Sequence, residues 1–174
     1  MTAQAASSVA RRYCDFVQPG HALVQDLFAS VPGSRETALI HGIECLRRYC
    51  AYEPAPGRLG FEEIQALRRT AGGRKVEVNC INSACLLTSH LRASGFTAEE
   101  AFVALGSSRR FSFHHAWTLL RSRDGLLWID PVDLEPRTMT GSALWQQYVL
   151  FVIFNDEQIC FLEEEKRRLL EGLG

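Results

Sequence analysis

The spacing of the apolar residues changes at Gly95, and this change limits the folds that the chain can adopt. Before Gly95, apolar residues recur every three or four positions, as on the buried face of a helix. After Gly95, they alternate with polar residues or form short runs bounded by turn residues, as in β-strands. Helices followed by consecutive strands predict an α+β fold, with helices packed on an antiparallel sheet. The 174 residues suffice for a full core, so we expect one domain over residues 1–174.

Residues 1–78 are expected to be mostly helical. Ser34 is predicted to be an N-cap, and Glu53–Gly57 is typical of a loop because it contains two prolines and a glycine. Asn79 is expected to cap a central, buried helix that stops at Gly95. The predicted helices are Ala22–Ser30, Arg35–Tyr49, Phe61–Thr70 and the helix from Asn79 to about Ser94.

Residues 79–162 are expected to hold this central helix and the sheet, and residues 163–174 a C-terminal helix. Asp124-Gly125 is a typical hairpin turn. The charged segment Glu163–Leu170 predicts an amphipathic helix. The predicted strands are Ala101–Leu105, Phe113–Leu120, Leu126–Asp130, Tyr148–Phe154 and Gln158–Leu162.

Composition argues against several classes of protein. The net charge of −1 argues against nucleic-acid binding, which calls for a large basic excess. The most apolar stretch, Tyr148–Phe154, is too short to span a bilayer, so no membrane partner is expected. Residues Met1–Ala10 lack the apolar run of a secretory signal. The six cysteines include no CxxC pair, and reduced thiols in a cytoplasmic protein are expected.

Cys80 is the strongest candidate for a reactive residue. If Asn79 is the N-cap, Cys80 lies in the first turn, where the helix dipole and unpaired N–H groups favour the thiolate. The same N–H groups can stabilise an oxyanion. Most cysteines are buried structural residues, and we assign that role to the others: Cys14, Cys45, Cys50, Cys85 and Cys160.

His115 and Asp130 are predicted to complete the site. In a hairpin centred on Asp124-Gly125, Arg121 faces Leu126 and Trp117 faces Asp130. Asp130 then lies diagonally across from His115, about 7–8 Å away between backbone positions and within side-chain reach. A carboxylate there fixes the imidazole tautomer and stabilises the imidazolium.

Two neighbouring residues are weaker candidates. Strand alternation puts His114 on the opposite face from His115, so we expect His114 not to be catalytic. Asp133, the rival carboxylate, follows Pro131 and is expected in a loop.

Two non-enzymatic alternatives remain open. Cys80, Cys85, His114 and His115 could be zinc ligands, but adjacent histidines on a strand point apart and the C-x4-C spacing exceeds one helical turn. We therefore expect no metal and no cofactor. A binding module could instead keep the fold without chemistry, in which case Cys80 would be unreactive.

The chain resembles the transglutaminase-like superfamily of papain-related cysteine enzymes over about Asn79 to Asp133. In that family a cysteine opens a helix, a His-Ala-Trp strand follows, and an aromatic residue with Asp-Pro closes the motif. Asn79 and Ile81 depart from the glycine and aspartate that often flank the family's nucleophile. The matching residues are Cys80, Ala84, Leu91-Arg92, Gly95, Ala101–Gly106, His115-Ala116-Trp117 and Trp128-Ile129-Asp130-Pro131.

Within the superfamily, the small size and Phe113-x-His115-Ala116-Trp117 are similar to the stand-alone leader peptidases of lasso peptide biosynthesis. Those peptidases usually have arginine-serine after the cysteine and lack the Trp-x-Asp-Pro ending, which this chain has. The resemblance implies a transglutaminase-like or papain-like core. It also implies a Cys80–His115–Asp130 triad that acts on amide or thioester carbonyls. Expected substrates are a peptide or a carrier-bound acyl group in a bacterial biosynthetic pathway, with water or an amine as acceptor.

Overall fold

The computed structural model describes six stretches of the chain. The described residues are 11–29, 33–54, 59–108, 114–122, 125–139 and 146–162. The tail helix predicted over Glu163–Leu170 lies outside them, as do Asp124 and Phe113.

The predicted helices are present with nearly the expected bounds. Residues 11–14 are also helical. The longer helices are α1 (Ala22–Phe28), α2 (Arg35–Tyr49), α3 (Phe61–Thr70) and α4 (Cys80–Ala93).

Local side-chain and backbone chemistry explains these bounds. The Ser34 side chain accepts a hydrogen bond from the Thr37 N–H and begins α2, while Asn79 does the same for the Asn82 N–H and begins α4. Gly95 adopts a φ of 89°, a left-handed conformation that favours glycine and ends α4. These caps were predicted from sequence, and they are confirmed.

A six-stranded antiparallel sheet follows α4, with strand order β6-β5-β4-β3-β7-β8. Its hairpin register pairs Arg121 with Leu126 and Ser122 with Gly125, which confirms the predicted pairing. The strands are β3 (Ala101–Ser108), β4 (His114–Ser122), β5 (Gly125–Ile129), β6 (Pro136–Met139), β7 (Tyr148–Phe154) and β8 (Ile159–Phe161). The α+β prediction is therefore confirmed.

Three short strands were not predicted from sequence. β1 (Cys50–Tyr52) and β2 (Val76–Val78) pair in parallel, so residues 1–78 are not purely helical. β6 pairs with β5 at the sheet edge, where its initial Pro136 is tolerated because an edge strand needs fewer backbone donors. Strands this short carry too few residues to show a period.

Helix α4 lies at the centre of the molecule and packs against α2, β3 and β4. Every residue from Asn82 to Leu91 is buried, which agrees with the broad apolar arc predicted for this helix. The Thr118 hydroxyl donates to the Ala84 carbonyl at 3.3 Å. This contact fixes the distance between α4 and β4, the two elements that carry Cys80 and His115.

Within the described stretches, no helix has the length and apolarity that a bilayer crossing needs. All six cysteines are thiols.

Candidate active site

Cys80 is the first residue of α4 and is half-buried. The start of the helix is held rigidly because Asn79 accepts from the Asn82 N–H at 3.0 Å. The Asn82 side chain in turn donates to the Leu59 carbonyl at 2.7 Å. The nucleophile candidate therefore lies at a capped helix N-terminus that is also tied to the segment before α3.

His115 lies near the start of β4 and is buried, with 7% of its surface exposed. Its Nε2 lies 2.9 Å from Oδ1 of Asp130, and because a carboxylate only accepts, Nε2 is the donor. His115 also interacts with Cys80, and each of the two groups shifts the pKa of the other. Since Nε2 faces Asp130, Nδ1 is the ring nitrogen directed to the thiol. The structure thus brings the predicted residues Cys80, His115 and Asp130 together in that order.

The Asp130 carboxylate is held by donors besides the imidazole. Trp117 directs its indole Nε1 to Oδ2 at 3.3 Å, and the Val132 N–H donates to Oδ1 at 2.9 Å. The Trp117 ring also meets the His115 ring edge to face, with centroids 5.0 Å apart. Trp117 therefore orients both the carboxylate and the imidazole.

The electrostatics favour an ionised Cys80–His115 pair. Burial alone would raise the pKa of the Cys80 thiol, but the hydrogen bond and charge of His115 lower it, as do backbone hydrogen bonds with Ala116 and Ile81. For His115, burial disfavours the charge, yet Asp130 and Cys80 raise its pKa to about 9. Near neutral pH this arrangement favours thiolate and imidazolium.

Asp133, the rival carboxylate, binds other partners than His115. It forms an ion pair with Arg137 and accepts from the Glu135 N–H at 2.9 Å. The hydrogen bond and charge of Arg137 outweigh burial and lower the pKa of Asp133. Its position in the turn after β5 agrees with the loop expected from Pro131.

The turn after β5 is also held from α2, which sequence reasoning missed. Arg47 donates to the carbonyls of Asp133 and Leu134, each at 3.2 Å. The Leu134 N–H donates to the Asp130 carbonyl at 2.7 Å, with Leu134 at a φ of 56°. This anchoring keeps the backbone of Asp130 in place beneath His115.

His114 is exposed and does not join the Cys80–His115–Asp130 chain, but it borders the same cavity as Cys80. Cys85 is buried one turn further along α4. Within the described residues, no three His, Cys, Asp or Glu side chains are grouped to hold a metal ion. The zinc alternative, which needed Cys80, Cys85, His114 and His115 to converge, gains no support from this arrangement.

Tyr52, at the end of β1, is a site residue that sequence reasoning missed. Its ring lies edge-on to His115, with centroids 6.5 Å apart. Burial raises the pKa of its hydroxyl, and the negative charges of Cys80 and Asp130 raise it further. Tyr52 reaches the site because β1 pairs with β2 immediately before Asn79, a non-local pairing with no sequence signal.

The similarity of this chain to known proteins was found by comparison of structures. No family model matches the sequence, and no curated protein matches it. Among solved structures, Legionella pneumophila LapG has a TM-score of 0.55 at 13% identity, covering 86% of this chain and 80% of LapG. Its EGTA-treated form has a TM-score of 0.55 at 14% identity, covering 82% and 74%. Its calcium-bound form has a TM-score of 0.54 at 13% identity, covering 80% and 74%.

LapG has a transglutaminase-like fold. At such low identity the similarity concerns the fold, and it agrees with the core that the sequence motifs implied. The fold of this chain is therefore transglutaminase-like, with helices packed on an antiparallel sheet.

Proposed function

We propose that this protein is a cysteine-dependent enzyme of the transglutaminase-like fold that cleaves an amide or thioester bond through an acyl-enzyme. The observation that carries the proposal is the series Cys80–His115–Asp130, in which His115 is hydrogen-bonded to Asp130 and lowers the pKa of Cys80 at the N-terminus of α4. A nucleophile, a base and a group that orients the base are the parts that such chemistry needs.

In the first step the Cys80 thiolate attacks the substrate carbonyl carbon, a C–S bond forms, and the carbonyl electron pair moves to oxygen. Backbone N–H groups at the start of α4 and the Tyr52 hydroxyl are the candidate donors to this oxyanion. Collapse of the intermediate breaks the bond to the leaving group. That group takes the proton of the His115 imidazolium and departs.

In the second step, water or an amine attacks the thioester carbon and His115 accepts its proton. The C–S bond breaks with its electron pair on sulfur, and because His115 keeps the proton, the thiolate–imidazolium pair is restored. Water yields a carboxylic acid, as in a peptidase, and an amine yields a new amide. We favour peptide hydrolysis because the fold is that of a cysteine protease such as LapG.

Acylation by p-nitrophenyl acetate tests this proposal without knowledge of the natural substrate. The wild type should release p-nitrophenol and carry a transient acetyl group on Cys80, detected by mass spectrometry. Cys80→Ser should not react at a comparable rate, whereas Cys160→Ser, a matched change on β8 outside the site, should behave as wild type. A wild type that is never acetylated on Cys80 would contradict the proposal and favour the binding module.

Adding a primary amine to the same assay separates the two outcomes of the second step. A hydrolase should release acetate at an unchanged rate, whereas an acyltransferase should convert most of the acetyl group to the amide. The expected cytoplasmic substrate is a peptide tail or a carrier-bound acyl group in a bacterial biosynthetic pathway, as for a leader peptidase. A precursor-peptide gene beside this one would support the peptide, and carrier-protein genes would support the acyl group.

A further inference from the structure

A cavity of about 420 Å³ adjoins the reactive pair. Cys80 and His115 line it together with Ile81 of α4 and the strand residues Leu105 and Ala116. A substrate carbonyl bound at Cys80 would therefore have this cavity directly beside it.

Aromatic rings from the N-terminal segment form part of the cavity lining. Tyr13 and Phe16 both line it, and their ring centroids are 5.7 Å apart. Each ring also packs on Phe154, at 5.2 Å for Tyr13 and 6.1 Å for Phe16. Because Phe154 is completely buried, this part of the lining is preformed rather than assembled around a ligand.

A β-bulge in β7 adds the ring of Phe151 to the cavity lining. Leu105 pairs with Val152 but Gly106 pairs with Leu150, so Phe151 is the extra residue on β7. A bulge of this kind redirects a side chain, and the Phe151 ring lies against His114, with centroids 5.4 Å apart, in the cavity lining.

Gly106 permits this bulge. A Cβ on Gly106 would lie 2.3 Å from the Val149 carbonyl oxygen, so a larger residue would force the two strands apart. The glycine and the bulge together place Phe151, whose side chain is 41% exposed, at the candidate site.

The cavity lining is apolar and carries little charge. Among the described residues that line it, there is no carboxylate, lysine or arginine, and the ionisable groups are Cys80, Tyr13 and the two histidines. An apolar surface of this kind favours an uncharged side chain because a charged one would lose hydration without gaining a partner.

We propose that this cavity is the specificity pocket for the acyl half of a peptide substrate, and that it takes a large apolar side chain beside the scissile carbonyl. The proposal rests on the proposed function, since it assumes that Cys80 is acylated. The acyl half stays bonded to Cys80 through both steps, whereas the leaving group departs after the first. We assign the cavity beside Cys80 to this acyl half, with Phe151 as a specificity-determining residue.

Peptidyl chloromethyl ketones test the pocket directly, because they place an acyl half in the site and alkylate Cys80 with loss of chloride. Two series, acetyl-Ala-Xaa and acetyl-Xaa-Ala, should be compared with Xaa as Phe, Leu, Gly, Asp or Lys. Each alkylation rate is divided by the rate for iodoacetamide, which carries no peptide and therefore measures the reactivity of the thiolate alone. In the acetyl-Ala-Xaa series, where Xaa carries the reacting carbonyl, we expect Phe or Leu to exceed Gly by at least about tenfold, with Asp and Lys slowest. A preference in the acetyl-Xaa-Ala series alone would contradict the position proposed for the side chain. Equal rates throughout, or a preference for Asp or Lys, would overturn the proposal.

Phe151 variants test the residue that the bulge places in the lining. Phe151→Ala should reduce the Phe-to-Gly rate ratio at least threefold, on the order expected for lost apolar contact, and leave the iodoacetamide rate unchanged. Phe151→Asp should raise the relative rate of the Lys ketone. Leu67→Ala is the control, since Leu67 is a large apolar residue on α3 with 45% exposure that does not line the cavity; its ratio should equal that of wild type. Equal ratios in all variants would remove Phe151 from the pocket.

The iodoacetamide experiment distinguishes failure of the proposed function from failure of the pocket proposal. If iodoacetamide does not label Cys80 preferentially, the proposed function is wrong and the pocket proposal falls with it. If Cys80 is labelled rapidly but the ketones show no preference, the pocket proposal alone is wrong.

Discussion

Trp117 and Asp130 are joined by a hydrogen bond from the indole Nε1 to the carboxylate Oδ2, with the two atoms 3.3 Å apart. The other oxygen, Oδ1, accepts from His115. A single carboxylate therefore links a completely buried indole to the imidazole beside Cys80. This relationship makes Trp117 a positioning residue for the base, in addition to its role in the core.

Trp117→Phe tests that role. The change keeps an aromatic ring but removes the donor to Asp130, and we expect kcat/KM to fall by about tenfold, as for one lost hydrogen bond to a charged group. The control is Trp128→Phe. Trp128 is equally buried in the same cluster, and within the described residues its Nε1 has no hydrogen-bond partner. Both variants should have a lower melting temperature than wild type. Only Trp117→Phe should have a lower kcat/KM per folded molecule. An equal decrease of kcat/KM in both variants would show that Trp117 contributes only to packing.

Cys80 should be the thiol that reacts fastest near pH 6.5. Its pKa is lowered by His115 against the effect of burial, whereas burial raises the pKa of Cys14 and Cys45 and raises that of Cys50 to about 12. Limiting iodoacetamide followed by peptide mapping measures the order of labelling. Preferential labelling of any other cysteine would contradict the assignment of the nucleophile.

His115→Ala should abolish turnover, with a loss of about a hundredfold or more, the usual range for a general base. His114→Ala should retain most of kcat, because His114 is exposed and lies outside the Cys80–His115–Asp130 series. Since His114 lines the cavity, a change in KM is expected for that variant. Steady-state kinetics on both variants measure kcat and KM. The reverse pattern would show that His114, and not His115, is the general base.

Asp130→Asn should lower turnover by about a thousandfold or more, because the neutral amide favours the wrong imidazole tautomer and no longer stabilises the imidazolium. Asp133→Asn should have a mild effect, since that carboxylate pairs with Arg137. Turnover and melting curves are needed for both variants. Full activity in both variants would indicate a Cys80–His115 dyad without a carboxylate. A severe loss only in Asp133→Asn would identify Asp133 as the third member of the triad.

The pH dependence should follow the ionised pair. The rate should rise as Cys80 loses its proton below the usual thiol pKa of 9.0 and fall as His115 loses its proton near pH 9, the two limbs belonging to the pair as a whole. Asp130→Asn should move the alkaline limb to lower pH, because Asp130 raises the pKa of His115. A profile of kcat/KM against pH measures both limbs, and an unmoved alkaline limb would show that Asp130 does not act on the base.

The same ionisation affects stability. The pKa of His115 is raised on folding from 6.5 to about 9, so its stabilising contribution is fully present below pH 6.5 and is lost as the pH rises through about 9. Folding lowers the pKa of Cys80, which has the opposite effect on stability, so the comparison is made without the thiol. The melting temperature of Cys80→Ser should fall more across this interval than that of the double variant Cys80→Ser/His115→Ala.

Local information in the sequence determined much of the site. The cap at Asn79 placed Cys80 in the first turn of α4, and two-residue alternation with the turn before Gly125 placed Asp130 within reach of His115. These relationships depend only on residues close along the chain, where helix and hairpin geometry are constant. The period change at Gly95 likewise predicted helices followed by an antiparallel sheet.

Tertiary structure alone decided what surrounds these residues. Tyr52 reaches the site through the β1–β2 pairing, Arg47 holds the turn after Asp130 from α2, and the bulge at Phe151 depends on how β7 meets β3. Each contact joins segments far apart in the chain, and the periodic pattern of apolar residues reports only local conformation. The packing of α4 against β4 sets the distance from Cys80 to His115, because non-local packing, rather than local propensity, fixes the relative positions of helix and sheet.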